Sequence, residues 1–364
     1  MHKNCLTYPV EFAKDAFGES DALAKMLLGG RDEAPRVFIV ADQNVVQRTE
    51  GLGTKIGRYV RSHGIELAGS PVVVGGGEKV KLDDAQTALN VAAQMLRAGV
   101  GGRDVVLAIG GGAVLDVAGW AAAQAAGGAG VVRMPTTPEA MLDAAFAEYA
   151  ALDTVAVKDA LRVGSVPAGV VVDTTFAATV LDGVWRGGIG EAVRLAVARD
   201  AAFLKKLKAL APAYGRRDAE SLDEIVSGAY AVRAKKGSTS FGLWSAMRLQ
   251  AMSGWKLPHG YAVAIGVLVD VSYAVAAGVV PEKARDEIVD FFEVCGTLDG
   301  LVHSQYLLQQ ADGLAKGLAE WRRVSRGGTV DVLSGVGKTN AAPGLEAEVL
   351  REALGHLVSL PSRR

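Results

Sequence analysis

The sequence predicts an α/β N-terminal domain built on a parallel sheet, residues 1–180, followed by an all-helical C-terminal domain, residues 181–364. Three observations lead there. Short apolar runs alternate with amphipathic stretches through the first half, the pattern of parallel strands joined by crossover helices. From about residue 183 the β-rich runs stop and helical patterns follow one another almost to the end. Between one strand and one helix stands a triple glycine, a loop that lets backbone N–H groups come close to a ligand.

In chain order the expected strands are VFIVAD with its core at 38–42, PVVV near 71, DVVLAIGGG near 104, GVVRMPTT near 130 and GVVVD at 169–173. Helical patterns lie between them at 51–63, 83–98 and 113–126. In the second half, amphipathic segments cover 184–209, 217–236, 260–277, 281–295 and 304–320, with a short strand-like TVDVL and a final helix near 345–356. Neither a solenoid repeat nor a low-complexity linker intervenes, so the boundary near 180 is expected to be a packed cleft, the kind of place where cofactor and substrate meet.

Half of the 364 residues are hydrophobic, enough for two packed cores. Lysine plus arginine, 39, nearly cancels aspartate plus glutamate, 40, so no global field recruits nucleic acid or an anionic membrane. A small-molecule function is expected. Cys5 and Cys295 carry neither metal nor disulfide spacing and read as reduced thiols. The opening MHKNCLTYPVEF lacks the apolar core of a signal peptide, and no run is long enough to span a bilayer. A cytoplasmic protein is expected.

AIGGGAVLDVAG, residues 108–119, places Gly110, Gly111 and Gly112 in the turn between strand and helix, where backbone N–H groups and a helix N-terminus can meet a phosphate. It is not the G-x-G-x-x-G fingerprint, and it follows the third strand. MPTT ending at Thr137, Leu142-Asp143, PAGVVVDTTF, GEAVR and HGYAVAIG follow it in turn. In this order and spacing, over about residues 36–335, the chain resembles the dehydroquinate synthase family of NAD-dependent sugar phosphate cyclases.

The resemblance implies NAD-binding loops. It puts Asp42 and Asn44 at the adenosine end and Glu78 and Lys81 in a strand-end loop touching the cofactor. Gly111, Gly112 and Asp116 match the pyrophosphate loop, Thr136 and Thr137 a threonine pair, and Phe176 to Thr179 the nicotinamide side. Cyclases of this family hold a divalent ion, usually zinc, on one glutamate and two histidines. Glu191 and His259 match two of these ligands, but Leu243 stands at the third. In SFGLWSAMRLQ, Leu243 and Met247 replace histidines and Gln250 a glutamate. Leucine cannot ligate zinc, and methionine suits copper(I) better. Leu243 and Met247, at helical spacing, are expected to be core packing. The remaining histidines, His2, His63, His303 and His356, lie elsewhere in the sequence. At the substrate-phosphate end the resemblance puts Tyr149 at a lysine and Asp153 and Asp159 at asparagines, keeps Lys158, and finds arginine at lysine positions in Arg194, Arg322 and Arg323. Lys158, Arg194 and Asp143 are the catalytic candidates.

The leading expectation is a divergent NAD-dependent sugar phosphate cyclase, a 3-dehydroquinate synthase homologue with a degraded metal and phosphate site. If active, it would be a carbon–oxygen lyase that takes a polyol or sugar phosphate. The alternatives are a catalytically silent homologue or a metal-independent NAD oxidoreductase on an unphosphorylated polyol, and, as a minor one, a relative of the iron-dependent alcohol and glycerol dehydrogenases. The resemblance implies a homodimer.

Overall fold

The five apolar runs all become strands of one parallel sheet, and a sixth strand joins them at its edge. The computed structural model describes residues 5–29, 33–125, 127–325 and 327–359, so His2 lies outside the described residues. The chain divides into an α/β unit, Thr7–Thr154 with Asp159–Leu181, and a helical unit that holds Val155–Lys158 and the chain from Asp182 onward.

The α/β unit runs β1 (Val10–Ala13), α1 (Ala22–Leu28), β2 (Val37–Asp42), α2 (Gln43–Arg48), α3 (Leu52–Ser62), β3 (Val72–Val74), α4 (Gln86–Arg97), β4 (Val105–Gly110), α5 (Gly112–Gln124), β5 (Gly130–Pro135), α6 (Pro138–Leu142), β6 (Tyr149–Leu152), β7 (Leu161–Gly164) and β8 (Gly169–Asp173). Its sheet has the order β1-β8-β5-β4-β2-β3, with every pair parallel. β2, β4 and β8 are buried at every position, as parallel strands covered on both faces must be, and this is why they read as unbroken apolar runs. β1 was not expected. At the edge, its VEFA exposes Glu11 and Phe12, so it carries no buried-strand signal. Nor was the antiparallel β6–β7 hairpin, which the segment AFAEYAALD enters.

The helical unit contains α7 (Asp182–Arg199), α8 (Ala201–Gly215), α9 (Ala219–Lys236), α10 (Leu243–Met252), α11 (His259–Ala276), α12 (Glu282–Val294), α13 (Asp299–Leu308), α14 (Ala311–Val324), β9 (Val330–Gly335), β10 (Lys338–Ala342) and α15 (Ala347–Val358). The second unit is helical as expected, and the strand-like TVDVL forms β9, which pairs antiparallel with β10, a strand that was not expected. The single helix expected over 184–209 is broken at Asp200, whose side chain caps α8 by accepting the Phe203 N–H at 3.0 Å. The stretch 304–320 likewise belongs to two helices, α13 and α14.

At the centre of this unit lies α11, which corrects the expectation that no run could span a bilayer: it is the one helix among the described residues long and apolar enough to do so, but 78% of its apolar window is buried, as in a core helix. It packs on α7 backbone to backbone. A Cβ on Gly190 would lie 2.8 Å from the Gly260 carbonyl oxygen, and one on Gly260 would run into the backbone of Gly187. This contact sets Glu191 and His259, the next residues along each helix, side by side.

Candidate functional site

The predicted residues assemble into four groups, two in each unit. In the α/β unit the strand order reverses between β2 and β4, and open parallel sheets bind ligands at the carboxyl ends of strands at such a reversal. Asp42 and Gly110 are those ends. A Cβ on Gly76 would come within 2.6 Å of both Asp42 carboxylate oxygens and closer still to the Asn44 amide, so a larger residue there would have to displace them. α5 starts with Gly111 as N-cap and receives no side-chain cap, which turns its first N–H groups and the positive end of its dipole toward any anion. Thr136 donates its N–H to the Gly110 carbonyl at 3.0 Å. Its hydroxyl is buried without a partner, a cost of about 1–3 kcal/mol that an accepting ligand would relieve.

Thr137 caps α6 by accepting the Ala140 N–H at 3.2 Å. Asp42 caps α2, accepting the Asn44 N–H at 2.8 Å and its side-chain amide at 3.2 Å. Phe176 is buried in a 3₁₀ turn, where the Thr179 hydroxyl donates to its carbonyl at 3.0 Å. Glycines without room for side chains, an uncapped helix and an orphaned hydroxyl fit a dinucleotide's pyrophosphate.

The second group surrounds Lys81, at the end of a 3₁₀ turn that starts at the half-buried Glu78. Its ammonium lies 2.6 Å from Asp116, 2.9 Å from Asp159 and 3.5 Å from Asp153. Burial alone would pull it down, but the three carboxylates reverse that and hold it well above the usual lysine range. Burial raises Asp116 too, against the attraction of Lys81. Asp159, in the left-handed region at φ 53°, donates its N–H to Asp153 Oδ1 at 2.8 Å. Its carboxylate also meets Arg162 at 3.4 Å, and Arg162 stacks over the Tyr149 ring at 4.4 Å. No motif or spacing pointed to Arg162. Asp143 is half-buried at the C-cap of α6.

In the helical unit, Arg194 Nε donates to Glu191 Oε2 at 2.6 Å, Nη2 pairs with the same oxygen at 2.6 Å, and Nη1 donates to the Thr239 carbonyl. Glu191 Oε1 faces His259 Nε2 at 3.4 Å without a hydrogen bond of good geometry. His259 Nδ1 lies 2.8 Å from Gln250 Oε1, which fixes the ring. Glu191 and Arg194 are sealed, at 1% exposure each. No cluster of three or more histidine, cysteine, aspartate or glutamate side chains suited to a metal occurs among the described residues. A catalytic zinc takes three protein ligands, so this donor set does not fit one.

The fourth group is Lys158, buried, with Nζ 6.0 Å from the centre of the Trp255 ring. Trp255 has φ 63°, rare for a bulky residue, and is pinned by its N–H to the Gln250 carbonyl at 2.9 Å and by its indole to the Val155 carbonyl at 3.1 Å. Nothing in the sequence pointed to it. Leu243 and Met247 are not core residues as expected: both are half-buried, and Met247 lines a small pocket with Lys158, Trp244 and Trp321. Helical spacing identifies a shared face, but not how much of that face is covered. Arg322 donates to the Pro343 carbonyl and Arg323 to the Ala319 carbonyl at 3.3 Å, both at the surface.

Comparison with known proteins places this geometry in a family. Residues 71–186 match the 3-dehydroquinate synthase N-terminal family and 188–298 the 3-dehydroquinate synthase C-terminal family. The 3-dehydroquinate synthase of Shouchella clausii is 30% identical over 279 residues, covering 73% of this chain and 74% of that protein. The fold matches 2-epi-5-epi-valiolone synthase (ValA) of Streptomyces hygroscopicus subsp. jinggangensis, solved with NAD+ and Zn2+, at TM-score 0.79 and 22% identity over 97% of both chains. It also matches 2-deoxy-scyllo-inosose synthase complexed with carbaglucose-6-phosphate, NAD+ and Co2+, at TM-score 0.70 and 17% identity over 95% of this chain and 96% of that one. The α/β and helical units, the glycine loop at the strand reversal and these matches establish that the chain belongs to the 3-dehydroquinate synthase family.

Proposed function

We propose that the chain is a divergent NAD-dependent sugar phosphate cyclase that binds NAD across the Gly110–Gly112 loop and oxidises a secondary alcohol of a small polyhydroxylated substrate. The observation that carries this reading is the uncapped start of α5 at the strand reversal, beside the orphaned Thr136 hydroxyl. Bound there, NAD would accept a hydride. The backbone of Gly111 and Gly112 and the Thr136 hydroxyl would hold the phosphates, and Asp42 and Asn44 the adenosine ribose. Both structural neighbours carry NAD+.

The substrate end, by contrast, favours the alternative of an NAD oxidoreductase acting on an unphosphorylated polyol. Three aspartates, Asp116, Asp153 and Asp159, gather around Lys81, and each like charge near a phosphate dianion costs about 1–4 kcal/mol at contact distance and intermediate dielectric. The Glu191–Arg194 pair favours a second reading, a metal-independent NAD oxidoreductase or a catalytically silent homologue. A cytoplasmic homodimer is part of the same proposal: the compartment is supported by the absence of disulfide spacing, and the dimer rests on the family resemblance alone.

Calorimetric titration of purified, metal-analysed protein with NAD, with and without zinc, tests it. Micromolar binding that ignores zinc supports NAD use without a metal. Binding that tightens with stoichiometric zinc restores the metal-dependent cyclase, and no binding removes the NAD assignment.

A further inference from the structure

We propose that Arg194 is the resident cation of the helical unit's polar centre and that this centre is metal-free because it is already electroneutral. The inference rests on the family reading and deepens its metal-independent form. Two features of the centre would suit a metal. Glu191 Oε1 and His259 Nε2 are 3.4 Å apart, close to the edge of a tetrahedron with bonds of about 2.1 Å, and each ligand is held from behind, His259 by Gln250 and Glu191 by Arg194. Ligand spacing therefore does not bar an ion.

Charge does. Glu191 supplies the carboxylate, and the Arg194 guanidinium engages its Oε2 twice, through Nε and Nη2 at 2.6 Å, with both side chains at most 1% exposed. Gln250, the buried group behind His259, is neutral. A divalent ion entering this set would leave two positive charges uncompensated in a desolvated place. The third ligand is missing as well. Gln250, Met247 and Leu243 share one face of α10 at i, i−3 and i−7, and leucine and methionine there offer zinc nothing useful. Arg194 is thus a positioning residue: it fixes the carboxylate and supplies the charge, but is too deeply buried to touch substrate.

If both deficits matter, correcting one alone will not create a metal site. Leu243→His supplies a ligand, Gln250→Glu supplies a charge, and the pair supplies both. The measurement is zinc uptake by the full-length protein after equilibrium dialysis, read by elemental analysis, with the visible absorption of four-coordinate cobalt(II) as the spectroscopic check. We expect wild type and both single variants to retain less than about a tenth of an equivalent, and the double variant to take up one equivalent about 10–100-fold more tightly than either single variant. Wild type should also show the same thermal transition with and without chelator.

Stoichiometric zinc in wild type, or a chelator-dependent transition, overturns the proposal; wild type alone decides this if a variant fails to fold. Full uptake by Leu243→His alone would show that only the ligand was missing and would overturn the charge argument, as would a folded double variant that takes up no zinc. Loss of NAD binding would touch none of these readouts, because NAD is assigned to the α/β unit, so failure of the family-level function is distinguishable from failure of this inference.

Discussion

Two buried ionic centres, one in each unit, balance their charges differently. Around Lys81, three carboxylates share one ammonium, with Arg162 as a second cation on Asp159. Around Glu191, one carboxylate meets one guanidinium, and an imidazole and an amide complete the set. The first centre depends on its lysine because three carboxylates lie within 3.5 Å of that one ammonium. The second is a closed pair, and a closed pair can be replaced as a unit. Burying ions costs several kcal/mol each unless every charge is met, so the two centres should respond in opposite ways to paired substitution.

The largest effect is expected at the first. Lys81→Met leaves Asp116, Asp153 and Asp159 facing one another and should cost about 3–5 kcal/mol in urea unfolding at neutral pH, with part of the loss regained on acidification as the carboxylates take up protons. Arg194→Met should cost a similar or somewhat smaller amount, about 3 kcal/mol, by leaving Glu191 buried and unpaired. The double substitution Glu191→Gln with Arg194→Met should recover most of it, and a double variant no better than Arg194→Met would break the contrast between the centres. A smaller effect, about tenfold or 1.4 kcal/mol in NAD affinity by calorimetry, is expected for Gly111→Val, whose Cβ would lie 3.2 Å from Thr137 Cγ2 beside the start of α5, with little change in the unfolding midpoint.

The mildest prediction sharpens the comparison with a third buried acid. Asp270 accepts N–H donors from Gly242 at 2.6 Å and from the Trp244 indole at 2.7 Å, and burial pushes it up to about 7. An acid whose pKa is higher folded than unfolded holds its proton longer in the native state, so its contribution falls as pH rises from about 4 through 7. The slope should be about 1 kcal/mol per pH unit at its steepest. Asp270→Asn should flatten that slope in denaturant titrations between pH 5 and 7.

Strands with both faces covered were legible because burial left no room for polar positions: β2, β4, β5 and β8 are nearly continuous apolar runs, and the triple glycine between β4 and α5 followed from that reading. β1 was not, since one edge strand with exposed Glu11 and Phe12 looks like loop. The breaks at Asp200 and between α13 and α14 were missed because interruptions of one or two residues barely disturb a helical period. Residue types at the site were legible, but their pairings were not. Lys81 meets Asp116 and Asp159 across 35 and 78 residues, so their mutual neutralisation is a property of the fold. Gln250 read as a lost carboxylate, and only its contact with His259 revealed what it holds.

The glycine contact between α7 and α11 has a consequence for how such a site can drift. Because Gly187 and Gly190 let the backbone of Gly260 press directly against them, the backbone positions of Glu191 and His259 are written into the chain trace, while Arg194 and Gln250 aim the two side chains. Substitutions at Leu243, Met247 or Gln250 can therefore alter what the pair does without moving the backbone that carries it. A frame of this kind can accept a different chemistry by exchanging a few residues on one neighbouring helix.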